Sequence, residues 1–139
     1  MLKTIRISGL FPIIAIVFAA LACNALAGKP TLSNIRMATD DTGKTSTTSY
    51  SPGAAFYVFA DLSGLKAGSV VEAKWYVIDA AGVEGNSEIN TSDYAYALGI
   101  NFVYFKLTTN DGSDWPGGSY KVELYLDGIL AGEQTFTVQ

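Results

Sequence analysis

The feature that most constrains the fold is an alternation of side-chain character near the end of the chain, between Trp115 and Val138. One face would carry Tyr120, Val122, Leu124 and Leu126, and the other face would carry Lys121, Glu123, Tyr125 and Asp127. A period of two residues is typical of a strand that buries one face. Asp127-Gly128 then offers a turn in which positive φ costs little, and the alternation resumes towards Val138. The stretch predicts a closing β-hairpin and a small β-sandwich around it.

The same period of two recurs in four earlier stretches, at residues 32–39, 54–61, 69–79 and 101–108. We expect three of these strands to supply most of the core: Phe56, Val58, Ala60, Val71, Ala73, Trp75, Val77, Val103, Phe105 and Leu107. The Thr-rich segment 44–51 is interpreted as an edge strand or an ordered loop, whereas the polar segment 83–96 shows no period that assigns it. About seven strands, with turn signals roughly every 8–12 residues, predict an all-β sandwich.

Two features of this pattern point to a known type of domain. Trp75 lies in the middle of a predicted central strand, and W-P-G-G-S-Y-K-V-E-L-Y-L-D-G follows from Trp115 to Gly128. Over most of residues 54–139 the chain resembles the immunoglobulin-like sandwiches of bacterial secreted and surface proteins, in their cysteine-free branch. The resemblance implies an immunoglobulin-like antiparallel β-sandwich with Trp75 in its core. It implies no single function, because this fold serves adhesion, recognition, inhibition and spacing alike.

Residues 1–27 predict a signal peptide rather than part of the domain. Lys3 and Arg6 precede an uncharged, mostly apolar run from Gly9 to Ala22. This run is shorter than the ~20 apolar residues that a membrane-spanning helix needs, but it suits a secretory signal.

Two processing sites follow the apolar run. Ala25-Leu26-Ala27 has the small-x-small pattern of signal-peptidase cleavage after Ala27, whereas Ala20-Leu21-Ala22-Cys23 resembles the lipobox of bacterial lipoproteins. In the second case cleavage would precede Cys23, which would be lipidated. Ala20 stands where lipoproteins usually have Leu, and this favours ordinary secretion. Either way, residues 28–139 are expected to form one exported domain that is periplasmic, extracellular or anchored to the envelope.

The charge of this domain limits its partners. Two of the nine basic residues, Lys3 and Arg6, lie in the signal, which leaves seven basic against thirteen acidic residues. An acidic excess argues against nucleic acid and against basic patches that bind anionic lipid heads. We therefore expect no nucleic-acid partner, and membrane association only through a lipid on Cys23.

Residues for catalysis or metal binding are scarce. The chain has no histidine, and its one cysteine, Cys23, lies in the signal. This excludes Ser-His-Asp and Cys-His schemes and the usual His-based metal sites. The acidic turns at Asp40-Asp41 and at residues 110–114 offer oxygen ligands for Ca²⁺, but turn formation explains them better. We predict a protein that is not an enzyme and has no catalytic residue, metal or cofactor.

The candidate binding residues are aromatic side chains predicted to point away from the core: Tyr57, Phe59, Tyr76, Phe102, Tyr104 and Tyr125. Several such residues on neighbouring strands would form a contiguous patch suited to recognition. Protein binding or self-association through this patch, or strand addition at segment 44–51, is the leading hypothesis. The alternative is a carbohydrate-binding module with an exposed tyrosine face. Two structural readings stay open: the patch is covered by segment 83–96 or by the N-terminal stretch, or a one-residue slip exchanges the faces.

Overall fold

The computed structural model describes residues 28–139, which form eight β-strands. They are β1 (Thr31–Ala38), β2 (Ser49–Tyr50), β3 (Phe56–Ser63), β4 (Val70–Ala80), β5 (Ser87–Ala95), β6 (Phe102–Leu107), β7 (Gly118–Leu126) and β8 (Ile129–Val138). Within residues 28–139 no helix has the length and apolar character needed to cross a membrane. The predicted signal peptide, its cleavage after Ala27 and the alternative lipidation of Cys23 lie outside the described residues.

The strands form two sheets that enclose one core. One sheet has three strands in the order β1-β3-β6, and the other has five in the order β2-β8-β7-β4-β5. All neighbouring strands are antiparallel except β2 and β8, which are parallel. This confirms the predicted all-β sandwich, with β5 as a strand that the sequence pattern left unassigned. β5 is an edge strand whose core-facing Ile89 and Tyr94 are only half-buried, so the sequence shows no apolar period that reveals it.

The core consists of the inward side chains of both sheets. The predicted inward sets of β4 and β6 are all buried, and Trp75 is fully buried. Around Trp75 pack Phe56 and Phe136, whose ring centroids lie 6.4 and 6.1 Å from that of Trp75. The Trp75 indole Nε1 is the one buried side-chain nitrogen or oxygen in residues 28–139 that has no hydrogen-bond partner. Packing rather than polar bonding therefore holds this tryptophan.

Strand β1 departs from a simple alternation. The sequence pattern places Met37 and Ala38 on opposite faces, yet both are buried, with 2% and 0% of their surface exposed. A register shift between Ser33 and Arg36, with Asn34 at φ 49°, bends the strand. Ala38 is then covered by the chain that follows, to which it is bridged at Ser46.

Segment 44–51 crosses from one sheet to the other. Its Thr47 N–H donates to the Met37 carbonyl at 3.2 Å, and its Thr48 carbonyl accepts the Thr137 N–H at 2.9 Å. The buried Tyr50 hydroxyl donates to the Ala38 carbonyl at 2.7 Å. Only Ser49 and Tyr50 form a strand, at the edge of the five-stranded sheet, so most of the segment is the ordered loop of the two predicted alternatives.

The closing hairpin forms as predicted. Asp127 and Gly128 take φ values of 49° and 82°, the left-handed pair that a two-residue turn between antiparallel strands favours. Asp127 also ties this turn to β4, because its carboxylate accepts the Val70 N–H at 2.8 Å and its own N–H donates to the Val70 carbonyl. Tyr120, Val122 and Leu124 are buried as predicted, and Leu126 is half-buried.

Candidate functional site

The six candidate aromatic residues do not form one patch. Tyr57, Phe59, Phe102 and Tyr104 alternate with the core residues of β3 and β6, so they lie on the outer side of the three-stranded sheet. Tyr76 and Tyr125 alternate with those of β4 and β7, so they lie on the outer side of the five-stranded sheet. The two groups are on opposite surfaces of the sandwich. We call the first surface the aromatic face and the second, with Lys74, Lys121 and Glu123, the charged face.

The aromatic face is built by cross-strand neighbours in an unbroken register. Phe59 of β3 pairs with Tyr104 of β6, and their ring centroids lie 5.2 Å apart at an interplanar angle of 24°. The Phe102 ring is also stacked with that of Phe59, with centroids 6.4 Å apart, and the Tyr57 centroid lies 6.3 Å from that of Tyr104. The result is a continuous aromatic surface on two strands.

Phe59 points outward but is covered, so the prediction that it is exposed is wrong. Only 1% of its surface is exposed. The Arg36 guanidinium lies 5.1 Å from its ring centroid, and the turn at residues 40–43 packs against the ring. A Cβ added at Gly43, whose φ is 63°, would lie 2.8 Å from Phe59 Cε1. Phe59 therefore anchors the turn from outside the sheet, a contact that strand alternation does not reveal.

The exposed part of the aromatic face lies along β6. Phe102 and Tyr104 are 49% and 42% exposed, and Tyr57 is half-buried beneath the Lys106 ammonium, 5.6 Å from its ring centroid. Ile100, just before β6, extends this apolar surface, and Leu98 is a further exposed apolar side chain in the same connection. A groove of about 330 Å³ runs beside this end of β6, lined by Tyr94, Gly99, Ile100, Phe102, Val103 and Tyr104.

Leu98 and Ile100 were not among the residues predicted to bind a partner. The signal was present, because two large apolar residues flank Gly99 in a segment between strands, where polar residues are the rule. Both are exposed in the structure. Ile100 lines the groove beside Phe102 and so enlarges the apolar surface to which Phe102 belongs.

The tyrosines of the charged face are bound to charged side chains. The Lys121 ammonium donates to Glu123 Oε1 at 2.7 Å, and the Tyr125 hydroxyl donates to Glu123 Oε2 at 2.6 Å. Lys74 lies 4.9 Å from the Tyr125 ring centroid, and Lys121 lies 5.1 Å from that of Tyr76. Every tyrosine on this face is therefore held by a neighbour within the chain.

The pKa values of the charged face reflect these contacts. Hydrogen bonds from Lys121 and then from Tyr125 lower the pKa of the Glu123 carboxyl. The bond to Glu123 raises the pKa of Lys121, and it raises the pKa of Tyr125 to about 12. The pKa of Tyr76 is raised first by loss of solvent and then by the charge of Glu123. The groups stabilise one another's protonation states. We call this set of mutual contacts among Lys74, Tyr76, Lys121, Glu123 and Tyr125 the closed network of the charged face.

The acidic turns use their carboxylates locally. Asp40 Oδ1 accepts the Thr42 N–H at 2.9 Å, and Asp111 Oδ1 accepts the Ser113 N–H at 3.0 Å. Hydrogen bonds from the Thr42 side chain and from Ser113 lower the pKa of these two carboxyls. Within the described range 28–139 no group of three or more His, Cys, Asp or Glu residues is placed to hold a metal ion.

The comparisons with known proteins support the fold. No protein-family model and no curated protein matches the chain. The solved structures it is similar to include an immunoglobulin-like protein from Pseudomonas aeruginosa, with a TM-score of 0.58 and 13% identity over 82% of this chain and 99% of that one. The chain has an immunoglobulin-like fold.

A second similar structure is an alkylpurine DNA glycosylase from Pseudomonas fluorescens bound to DNA with an abasic-site analogue. The likeness has a TM-score of 0.51 and 12% identity, and it covers 85% of this chain but only 32% of that one. At these identities the two structures establish architecture alone.

Proposed function

We propose that this protein is an exported, non-catalytic binding or assembly module of the cell envelope that acts through protein–protein contacts. The observation that carries the proposal is the apolar surface along β6, where Phe102 is 49% and Tyr104 is 42% exposed. Aromatic side chains bury a large apolar area with little loss of conformational freedom, and tyrosine adds a polar tip for a hydrogen bond.

The place of action follows from residues 1–27, whose pattern predicts export to the periplasm or the cell exterior, or anchoring through a lipid on Cys23. The acidic excess of residues 28–139 disfavours nucleic acid as a partner. Similarity to part of a DNA glycosylase does not alter this, because the chain spans only a third of that protein and carries no excess of basic residues. We propose proteins as the partner class and no catalytic role.

Polysaccharide binding is the second candidate. The predicted platform of Tyr57, Tyr76, Tyr104 and Tyr125 is divided between two opposite faces, so it is not assembled. Phe102 and Tyr104 still offer exposed ring surface along β6, with the half-buried Tyr57 beside Tyr104, which is the feature that favours a short sugar chain. Intrinsic fluorescence that changes with soluble glycans in the wild type, and not in Tyr104→Ser, would favour this candidate.

The deciding experiment compares the two faces in the envelope of an exporting cell. The full chain, tagged after Gln139, is cross-linked chemically in intact cells and purified as wild type, as Phe102→Ser and as the matched control Tyr125→Ser. We expect protein adducts with the wild type and the control, and their loss in Phe102→Ser. Adducts that survive in Phe102→Ser but disappear in Tyr125→Ser would assign the contact to the charged face and overturn the proposal.

A further inference from the structure

The sandwich has four sheet edges in residues 28–139, and three of them carry features that discourage pairing with another strand. Strand β1 is bent by its register shift at residues 33–36. Strand β2 is only two residues long. Strand β5 pairs with β4 through a register shift, and it carries Glu88 and Asp93. Bulges, short strands and charges are the usual protections of natural sheet edges.

Strand β6 has none of these protections apart from one lysine. Its register with β3 is continuous from Phe56↔Leu107 to Asp61↔Phe102, without a bulge, and its sequence F-V-Y-F-K-L contains no proline. Lys106 is its sole charged residue. An aromatic edge with a continuous register and a single charge is suited to pairing with another strand.

The backbone of β6 leaves three residues free to pair. The Leu62 N–H donates to the Asn101 carbonyl at 2.8 Å, which fixes the phase of the ladder between β3 and β6. Because antiparallel bonds alternate along a strand, the N–H and C=O groups of Phe102, Tyr104 and Lys106 point away from β3. Within residues 28–139 no strand other than β3 is hydrogen-bonded to β6. The free backbone groups thus belong to the residues whose side chains form the exposed part of the aromatic face.

The edge is complementary to itself. If two β6 strands pair antiparallel about Tyr104, then Phe102 of each copy faces Lys106 of the other. No like charges oppose one another, and each ammonium meets an aromatic ring, as Lys106 already meets Tyr57 at 5.6 Å. The pairing also brings the end of the second β6 strand beside the groove next to Ile100 and Phe102.

We propose that the partner of the β6 edge is a second copy of this chain, paired antiparallel about a two-fold axis at Tyr104. The two three-stranded sheets then form one six-stranded sheet, and the aromatic faces become continuous across the axis. This inference rests on the proposed protein-contact function. The contact of one short strand per copy belongs to the small, transient class of interfaces below about 1,200 Å², so the dimer dissociates on dilution.

Disulfide trapping tests the geometry directly. Opposed residues of a hydrogen-bonded antiparallel pair have Cα atoms about 5.5 Å apart, which lies within the disulfide range. The full chain carrying Cys23→Ser has no other cysteine, so Tyr104→Cys introduces a single thiol at the axis. We expect mild oxidation to yield a reducible species of twice the monomer mass. Thr91→Cys, on the edge strand β5, is the matched control and should stay monomeric; equal cross-linking of both variants, or none of Tyr104→Cys, would overturn the proposal.

A second test, which changes the backbone of β6 at Tyr104, complements the disulfide trapping and leaves the Phe102 side chain in place. Because the Tyr104 N–H points away from β3, Tyr104→Pro removes a free donor without removing a bond of the β3–β6 ladder. In sedimentation velocity we expect the wild type to approach the dimer mass as concentration rises and folded Tyr104→Pro to remain monomeric. A wild type that stays monomeric at every concentration would refute the second copy as partner.

The outcomes separate this inference from the proposed function. If Tyr104→Cys stays monomeric while the envelope adducts depend on Phe102 and contain a different protein, the proposed binding function is supported and the dimer is refuted. If Tyr104→Cys stays monomeric and no adduct depends on Phe102, both the proposed binding function and the dimer are refuted.

Discussion

The two outer faces of the sandwich arise from the same alternation of side chains, yet they differ in how much aromatic surface they leave exposed for a partner. On the charged face, Tyr76 lies opposite Lys121 and Tyr125 lies opposite Glu72 in the neighbouring strand. On the aromatic face, Phe59 lies opposite Tyr104. Tyr76 and Tyr125 are bound by charged side chains of their own face, whereas Phe102 and Tyr104 keep 49% and 42% of their surface exposed. Phe59 is covered by Arg36 and by the turn at Gly43, although its cross-strand neighbour is aromatic. What lies over the ring, and not the outward direction alone, decides whether an aromatic residue is free to bind.

The largest expected loss of stability comes from the core, on which both faces rest. Trp75 is fully buried between the sheets, so Trp75→Ala should lower the free energy of unfolding by ~3–5 kcal/mol. Chemical denaturation followed by circular dichroism measures this loss. Trp75→Phe is the control, and it should cost less because it keeps an aromatic ring and removes an indole N–H that has no partner. A loss well below 1 kcal/mol for the alanine variant would show that the two faces do not depend on this residue.

The second prediction compares the stability losses caused by substituting two phenylalanines of the aromatic face. Phe59→Ala empties a site that is only 1% exposed and should cost ~3 kcal/mol, close to a core substitution. Phe102→Ala removes a ring that is about half exposed and should change stability by no more than ~0.5–1 kcal/mol. Denaturant midpoints of the two variants give the comparison. Equal losses would mean that Phe102 is structural and that the exposed surface along β6 is not free for a partner.

The smallest effect concerns the network of the charged face. Glu123→Gln removes the carboxylate that binds Lys121 and Tyr125 in a half-buried network, and ion pairs at a protein surface contribute about 0.2–1 kcal/mol. The pKa of Tyr125 should fall from about 12 towards the ordinary value of 10.0. Phenolate absorbance during an alkaline titration measures this shift, with Tyr125→Phe identifying the signal. An unchanged titration would contradict the closed network.

The same network has a defined dependence on pH. Folded Tyr125 holds its proton more tightly than the unfolded chain, so its contribution to stability is complete below pH 10 and is lost as the pH rises to about 12. Glu123 has the opposite sign: its lowered pKa contributes stability at neutral pH that is lost as the solution becomes acidic. Both contributions should be absent in Glu123→Gln.

Local patterns in the sequence predicted the strands that bury one face. Trp75, Phe105 and Tyr120 each fall in a strict alternation, and each lies in the core as expected. The turn at Asp127 was equally readable, because its residues suit positive φ. These are properties of a few consecutive residues, and the structure does not override them.

The alternation of side chains could not predict properties that depend on distant parts of the chain. Phe59 is covered by Arg36 and by the turn at Gly43, which lie 23 and 16 positions earlier in the chain. In strand β5 the core-facing Ile89 and Tyr94 are only half-buried, so the pairing of this strand with β4 had no signature in the sequence. The division of the six aromatic residues between opposite faces likewise requires the strand order, which alternation does not contain.

The central claim is that the aromatic face is the contact surface and the charged face is not. The most direct test places a photo-crosslinking amino acid at residue 102 or at residue 125 of the full chain, followed by irradiation of intact exporting cells. We predict a discrete protein adduct from residue 102 and none from residue 125. An adduct from residue 125 alone, or none from either position, would contradict the account.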